Sequence, residues 1–331
     1  MYKASDNSAI STQELRGQKI LITGASGFIG SHLRRRLCNN GNEVHGTSRR
    51  TPPNDGQGLR WWQGDLAQIE TTREILKAAK PDVIFHLASQ VLAARGMENV
   101  LPTFHSNLTT TVNILSAAAE MGCRRVILSN SLEECDGKEP VPSSPYAAAK
   151  WASGGYARMF HALYQLPVVI LRMFMVYGPA QQDLKKLIPY VTLSLLRGEA
   201  PKLTSGLREI DWIYVDDVVD ALVTAACAPG IEGRTIDVGS GKLVSIRAIV
   251  EHLVQLSNPQ LEPAFGAVSD RPLEQVRVAD TAESYARLGW TPKTSLTDGL
   301  ERTVRWYREQ VLSAGNGAKS LDPHPTRQPP G

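Results

Sequence analysis

A tyrosine and a lysine four residues apart carry the clearest chemical signal in this chain. Tyr146-Ala147-Ala148-Ala149-Lys150 follows Pro145 at the start of a helical pattern, so the two side chains share one helix face. An ammonium beside a phenol stabilises the phenolate and draws its pKa down from about 10 toward neutrality. A phenol tuned in this way can act as general acid or base at a hydroxyl or carbonyl. The run before it, Arg125–Ser129, reads as a strand and delivers Ser129 and Ser131 to the same neighbourhood. A serine hydroxyl there can hydrogen-bond the reacting oxygen.

A second signal lies near the start of the chain. The apolar run Lys19–Thr23 leads into Gly24-Ala25-Ser26-Gly27-Phe28-Ile29-Gly30, and a helical stretch follows to about Asn39. In such a strand–turn–helix, one glycine permits a tight turn, another lets backbone N–H groups approach a pyrophosphate, and the last lets helix and sheet pack closely. The positive helix end then faces the phosphates, so Gly24, Gly27, Phe28, Ile29 and Gly30 are candidate dinucleotide contacts. The next strand ends in Val44-His45-Gly46-Thr47-Ser48-Arg49-Arg50, with no acid before Asp55. An NAD site usually places an acid there for the ribose hydroxyls. Ser48, Arg49 and Arg50 instead suit a 2′-phosphate, which favours NADP, with NAD still possible.

The elements that must position these residues alternate. Strand-like runs at 19–23, 43–47, 59–63, 82–86, 125–129 and 168–172 are separated by helical patterns at 68–79, 102–121 and 146–164. That rhythm predicts an α/β fold with a doubly wound parallel Rossmann sheet. After about Met175 the pattern changes to longer helices, loops and prolines. Expected units are a mobile tail over 1–16, a cofactor domain over 17–175, a smaller substrate-binding region over 176–312 with parts that return to the first, and a disordered tail over 313–331. Thirty-six basic and 33 acidic residues leave a net charge of +3, so no field calls for nucleic acid or a membrane surface. The Arg34–Arg36 run reads as a solvated helix face. Cys38, Cys123, Cys135 and Cys227 match no metal spacing, and no metal site is expected. With no hydrophobic leader at the N-terminus, the expectation is a cytoplasmic protein.

Taken in order, these motifs resemble the extended short-chain dehydrogenase/reductases that epimerise, dehydrate or reduce nucleotide sugars. The resemblance runs from about Lys19 to Arg308. It takes in the glycine loop, Gly64-Asp65-Leu66, His86-Leu87-Ala88, Asn107, the Ser/Tyr/Lys set, Tyr177-Gly178-Pro179, Asp211 to Asp217, and Leu288-Gly289-Trp290 with Pro292. It implies that Asp65 and Leu66 lie by the adenine and that Leu87 and Ala88 line the nicotinamide pocket. It implies hydride exchange with a sugar carbon, usually C4, a proton moved by Tyr146, and a nicotinamide ribose held by Lys150. A nucleoside-diphosphate sugar as substrate and a homodimer formed through the two long helices are implied as well.

The chain also departs from the family pattern. The segment Ser131-Leu132-Glu133-Glu134-Cys135-Asp136-Gly137 lacks the usual Tyr-Gly ending, and Ser131 is favoured over Ser129 as the catalytic serine. Dehydratases of this kind place an acid/base two residues after that serine, often with an Asp between. Glu133 takes the first place, but Leu132 fills the second. Met175 and Val176 stand where an Asn often precedes Tyr-Gly-Pro. A phosphate-binding Arg often directly precedes the Asp at 211; here Ile210 does, and Arg208 shares its strand face two residues earlier. Arg271 matches a second arginine on the diphosphate. The resemblance thus favours a C4 oxidoreductase or epimerase over a 4,6-dehydratase. A silent cofactor-binding regulator would be expected to lack Tyr146, and a non-sugar carbonyl reductase would have little use for two diphosphate arginines.

Overall fold

In the computed structural model, residues 15–38, 41–50, 58–91, 94–135, 141–270, 273–274 and 276–315 are described. β1 (Lys19–Thr23) sits inside a sheet of seven strands in the order β3-β2-β1-β4-β5-β6-β9, every neighbouring pair parallel. The other strands are β2 (Glu43–Ser48), β3 (Arg60–Gln63), β4 (Val83–His86), β5 (Arg125–Ser131), β6 (Val168–Met173) and β9 (Thr235–Val238). Their sequences are short apolar runs because both faces are covered. Ile20 and Ile22 of β1 pack with Leu33 and Leu37 of α1 (Phe28–Cys38) and with Val218 and Leu222 of α7 (Val215–Cys227). Leu21, between them, joins the opposite core with α2 (Ile69–Ala79), α4 (Thr110–Met121) and α5 (Pro145–Tyr164). This is the two-residue alternation of a strand read on both sides.

The chain leaves the sheet after β6 and returns through β9, which pairs with β6 from Ile170↔Thr235 to Met173↔Val238. A smaller sheet of β7 (Met175–Tyr177), β8 (Glu209–Tyr214) and β10 (Leu243–Ser245) packs with α6 (Leu187–Leu196), α8 (Ile246–Ser257) and α10 (Leu296–Gly315). α9 (Thr281–Leu288) follows β10 and α8 in the chain and packs against β9.

Several elements differ from the sequence reading. The helix expected over 102–121 begins as α3 (Val100–Thr103), passes through a π-helical stretch Phe104–Thr109, and becomes regular only in α4. Leu15, placed in the N-terminal tail by its polar surroundings, is fully buried in the core. At the other end α10 extends to Gly315, past the expected boundary at 312. Arg34 does not belong to a solvated face: it is buried, with its guanidinium 5.7 Å from the Trp61 ring centroid. Its neighbour Arg36 does reach outward, to Asp220 at 3.3 Å.

Candidate active site

The glycine loop is built around close backbone contacts. Gly24 has φ +70°, and a Cβ there would lie 2.8–2.9 Å from backbone atoms of Leu87 and Ala88. A Cβ on Gly30 would run into the Gly24 carbonyl oxygen. Gly27 N–H donates to that same carbonyl at 2.9 Å, and Ser31 N–H donates to Gly27 O at 2.8 Å as α1 begins. Phe28 and Ile29 form the first residues of α1, tucked against the core. A helix N-terminus thus opens at the C-terminal edge of the sheet, where an anion is stabilised by orphan N–H groups. The cradle fits a dinucleotide pyrophosphate.

Residues at the same edge flank the cradle. Asp65 is exposed in the β3–α2 turn and accepts the Ala67 N–H at 3.0 Å. Leu66 is buried, and its carbonyl accepts the Thr72 hydroxyl and the Asn113 amide. Leu87 and Ala88 continue β4 and are half-buried. Leu87 N–H donates to Thr23 O at 3.2 Å, and Ala88 N–H to Thr23 Oγ1 at 3.1 Å. At the end of β2, Ser48 Oγ accepts the Arg50 N–H at 3.3 Å, while Arg49 and Arg50 are exposed. Asp55 lies outside the described residues.

The reactive groups converge from β5 and α5. Ser144 caps α5 by accepting the Ala147 N–H at 3.2 Å, and Pro145 occupies the first turn, which fixes Tyr146 and Lys150 relative to the strand. Ser129 donates its hydroxyl to His86 O at 3.0 Å, so it is bound to the neighbouring strand. Ser131 accepts the Glu133 N–H at 3.2 Å and hydrogen-bonds the Tyr146 phenol. Of the two serines, Ser131 is the one that meets the tyrosine.

The electrostatics correct one expectation. Burial pushes the Tyr146 phenol up to about 12; the Ser131 hydrogen bond pulls it back, and the carboxylates of Glu133 and Glu134 push it further up. Lys150 does not offset this. Its Nζ is 6.0 Å from the Tyr146 ring centroid and donates instead to Ser129 O at 2.7 Å. The phenol is therefore protonated at neutral pH. Burial draws Lys150 down to about 8, with Glu134 opposing.

His86, cited in the sequence only as part of a motif, organises the floor beneath. Thr111 Oγ1 donates to Asn107 O at 2.7 Å, so the His86 Nε2–H donates to Thr111 Oγ1 at 3.1 Å and Nδ1 accepts from Thr23 Oγ1 at 2.8 Å. The ring is neutral: burial first and the Lys150 charge second hold it down at about 3. The π-helical stretch buries Asn107, whose amide pairs with both backbone groups of Gln90 at 2.7 and 3.1 Å.

Next to Ser131, Glu133 is already engaged. Its Oε2 accepts the Ser143 hydroxyl at 3.2 Å, and its Oε1 faces Arg208 Nη2 at 3.4 Å. Arg208 Nη1 meets Glu274 at 3.2 Å, so this arginine, read from the sequence as a diphosphate contact, bridges two carboxylates. Arg271 lies outside the described residues. Leu132 is buried in the main core. Two acids were missed. Glu134, next to Glu133, is buried. Asp211 is fully buried and accepts Ser240 N–H, Ser240 Oγ, Gly241 N–H and Ala279 N–H at 2.6–3.0 Å, which ties β8 to the loops after β9 and before α9. An acid inside the otherwise apolar run Ile210–Val215 was the available signal for Asp211.

Residues 20–239 match the family model described as NAD dependent epimerase/dehydratase family. The chain belongs to that family. A dTDP-D-glucose 4,6-dehydratase from Mus musculus is 28% identical, over 97% of this chain and 99% of the relative. A UDP-glucose 4-epimerase from Mycolicibacterium smegmatis is 31% identical, over 88% and 99%. The crystal structure of Thermus thermophilus UDP-glucose 4-epimerase in complex with NAD aligns with a TM-score of 0.78 at 26% identity, over 87% of this chain and 98% of that one. The protein is thus an enzyme of the nucleotide-sugar epimerase and dehydratase class on a Rossmann fold.

Proposed function

We propose that this enzyme carries out hydride transfer at C4 of a nucleoside-diphosphate sugar, as an epimerase or reductase, with Tyr146 as general acid/base. The observation that carries this reading is the Ser131–Tyr146 contact with Lys150 behind it, at the sheet edge where the glycine cradle opens. The cofactor supplies hydride acceptance and return at its nicotinamide. Tyr146 moves the proton at the sugar oxygen, and Ser131 orients that oxygen. Arg208 and Arg271 hold the diphosphate, Arg208 by exchanging a carboxylate partner for phosphate. Buried Leu132 argues against dehydration, since it offers no proton for a leaving hydroxyl. Glu133 keeps a one-carboxylate dehydration chemically open, although Arg208 and Ser143 restrain it.

The deciding assay offers nucleoside-diphosphate hexoses and 4-keto-6-deoxy sugars side by side. Epimer formation, or net reduction of the keto sugar, is the expected result. A 4-keto-6-deoxy product formed without net cofactor consumption, and abolished in Glu133→Gln, would overturn the choice.

NADP is the preferred cofactor on this reading, because exposed Arg49 and Arg50 with Ser48 close the end of β2 without an acid. A homodimer is supported by exposed Met97, Leu101 and Phe104 at the start of the first long helical run and by exposed Trp151 on α5. Among the described residues the four cysteines form no disulfide, in keeping with a cytoplasmic location. Among the described residues no helix is long and apolar enough to cross a membrane.

A further inference from the structure

The segment after β7 forms a strap from the smaller sheet to the glycine cradle. Gly178 to Gln182 is held at three points. Gln182 Nε2 donates to Ser26 O, inside the glycine loop, at 2.5 Å. His32, buried on α1, donates from Nε2 to Pro179 O at 3.0 Å, and its Nδ1 lies 3.2 Å from Asp216 Oδ1. Tyr307, buried on α10, donates its hydroxyl to Gln181 O at 3.1 Å. Between these points Ala180 has φ +62°, a conformation that residues with a Cβ rarely adopt. The strap leaves β7 after Tyr177, and Asp216 follows β8 after Tyr214; these two tyrosines are paired in register. One ring on the cofactor helix therefore meets the ends of both strands.

Ser26 O and the Gly27 N–H belong to one peptide unit, and such a unit is planar. Its N–H donates to Gly24 O at 2.9 Å, and its carbonyl accepts Gln182. The unit is thus held at both ends, immediately before α1 begins at Phe28. The first N–H groups of a helix have no partner within it, and those of α1 open on the cradle. We propose that Gln182 is a positioning residue of the cofactor site: from the strap it fixes the Ser26–Gly27 peptide and so holds the first turn of α1 in place for a dinucleotide pyrophosphate. The inference rests on the reading of the cradle given above and is independent of the chemistry at C4. Gln182 is exposed, so replacing its side chain leaves the core untouched.

The test is stopped-flow displacement of bound NADPH, with NADH beside it, from the full-length enzyme. Gln182→Met keeps the length of the side chain and removes the donor. Loss of one such hydrogen bond is expected to speed dissociation about 2- to 10-fold, with the melting temperature unchanged. ADP-ribose, which carries the pyrophosphate but no nicotinamide, should lose affinity by the same factor in calorimetry; a loss confined to the intact cofactors would overturn positioning at the pyrophosphate. In a His32→Leu background, where the strap has lost its hold on α1, Gln182→Met should add little further. Full additivity there would show that Gln182 does not act from the strap. Should His32→Leu not fold, Gln182→Met alone decides. If the wild type binds neither cofactor, the cradle reading fails and the proposal with it. If it binds and Gln182→Met releases the cofactor at the wild-type rate, the proposal alone is refuted.

Discussion

Removing one hydroxyl from each of two serines in the same strand should produce two different defects. Ser129 Oγ donates to His86 O at 3.0 Å in the sheet interior, at a place where Ser129 O also accepts Lys150. Ser129→Ala deletes a buried hydrogen bond, which costs about 1–3 kcal/mol of stability when a carbonyl loses a partner. Nothing at the phenol changes directly. Ser131→Ala deletes the group that holds the Tyr146 phenol below what burial alone would impose. When the phenol gives up its proton in the reaction it becomes charged; a hydrogen bond to a charged group is worth about 1.5–3 kcal/mol, and each 1.36 kcal/mol is tenfold in rate, so turnover should fall about 10- to 100-fold. The assay is steady-state turnover on the active nucleotide sugar, paired with thermal melting of both variants. Ser129→Ala should melt lower with turnover within a few-fold of wild type; Ser131→Ala, which also loses the acceptor of the Glu133 N–H, should turn over slowly. A Ser129→Ala enzyme that melts normally and loses more turnover than Ser131→Ala would refute the assignment.

Tyr146→Phe should bind cofactor normally and lose about 10²- to 10⁴-fold in turnover, since only the phenol proton is removed; near-normal turnover would make this tyrosine structural. NADP(H) should bind more tightly than NAD(H) in paired fluorescence titrations, and Arg49→Ala should weaken NADP(H) about 10-fold or more while leaving NAD(H) little changed. Equal affinities in the wild type would remove the basis for that preference. Asp211→Ala should cost about 3–5 kcal/mol in denaturant unfolding, because it strands buried backbone donors at Ser240, Gly241 and Ala279; a loss under 1 kcal/mol would show that these loops re-form without the carboxylate.

Much of the site was legible because its signals are local. A glycine at φ +70° and a helix cap followed by proline and tyrosine are each written within a few residues. The parallel sheet followed from apolar runs spaced by helical patterns. What the sequence hid depends on distant packing. Glu134 and Glu133 are adjacent acids of one type, yet one is buried with Arg158, Arg172 and Arg277 near it and the other faces Arg208. The phenol of Tyr146 was expected to titrate low beside Lys150, but helical spacing fixes a shared face and not the direction of a lysine head group. Burial of the phenol, and a carbonyl nearer to the ammonium, reverse the outcome. A return of parts of the second region to the first was expected, but not which segment makes it, because four residues in Thr235–Val238 carry little periodicity.

The same burial that holds Tyr146 protonated also bears on which reaction suits the site. Dehydration removes a proton from C5 and water from C6, and in its two-acid form calls for a carboxylate and a second donor near the serine. Here the second place holds Leu132 inside the core, and the first holds Glu133 bound by Arg208 and Ser143. On the proposed reading, proton traffic then falls on Tyr146. A phenol raised by desolvation is sensitive to any positive charge placed beside it, since a poorly screened pocket strengthens the interaction. Tyr146 can then give a proton in one state of charge and accept it in another. Oxidation and reduction at a single carbon require that reversibility at one oxygen and nothing at a second carbon, which is why this constellation suits C4 epimerisation or reduction better than loss of water.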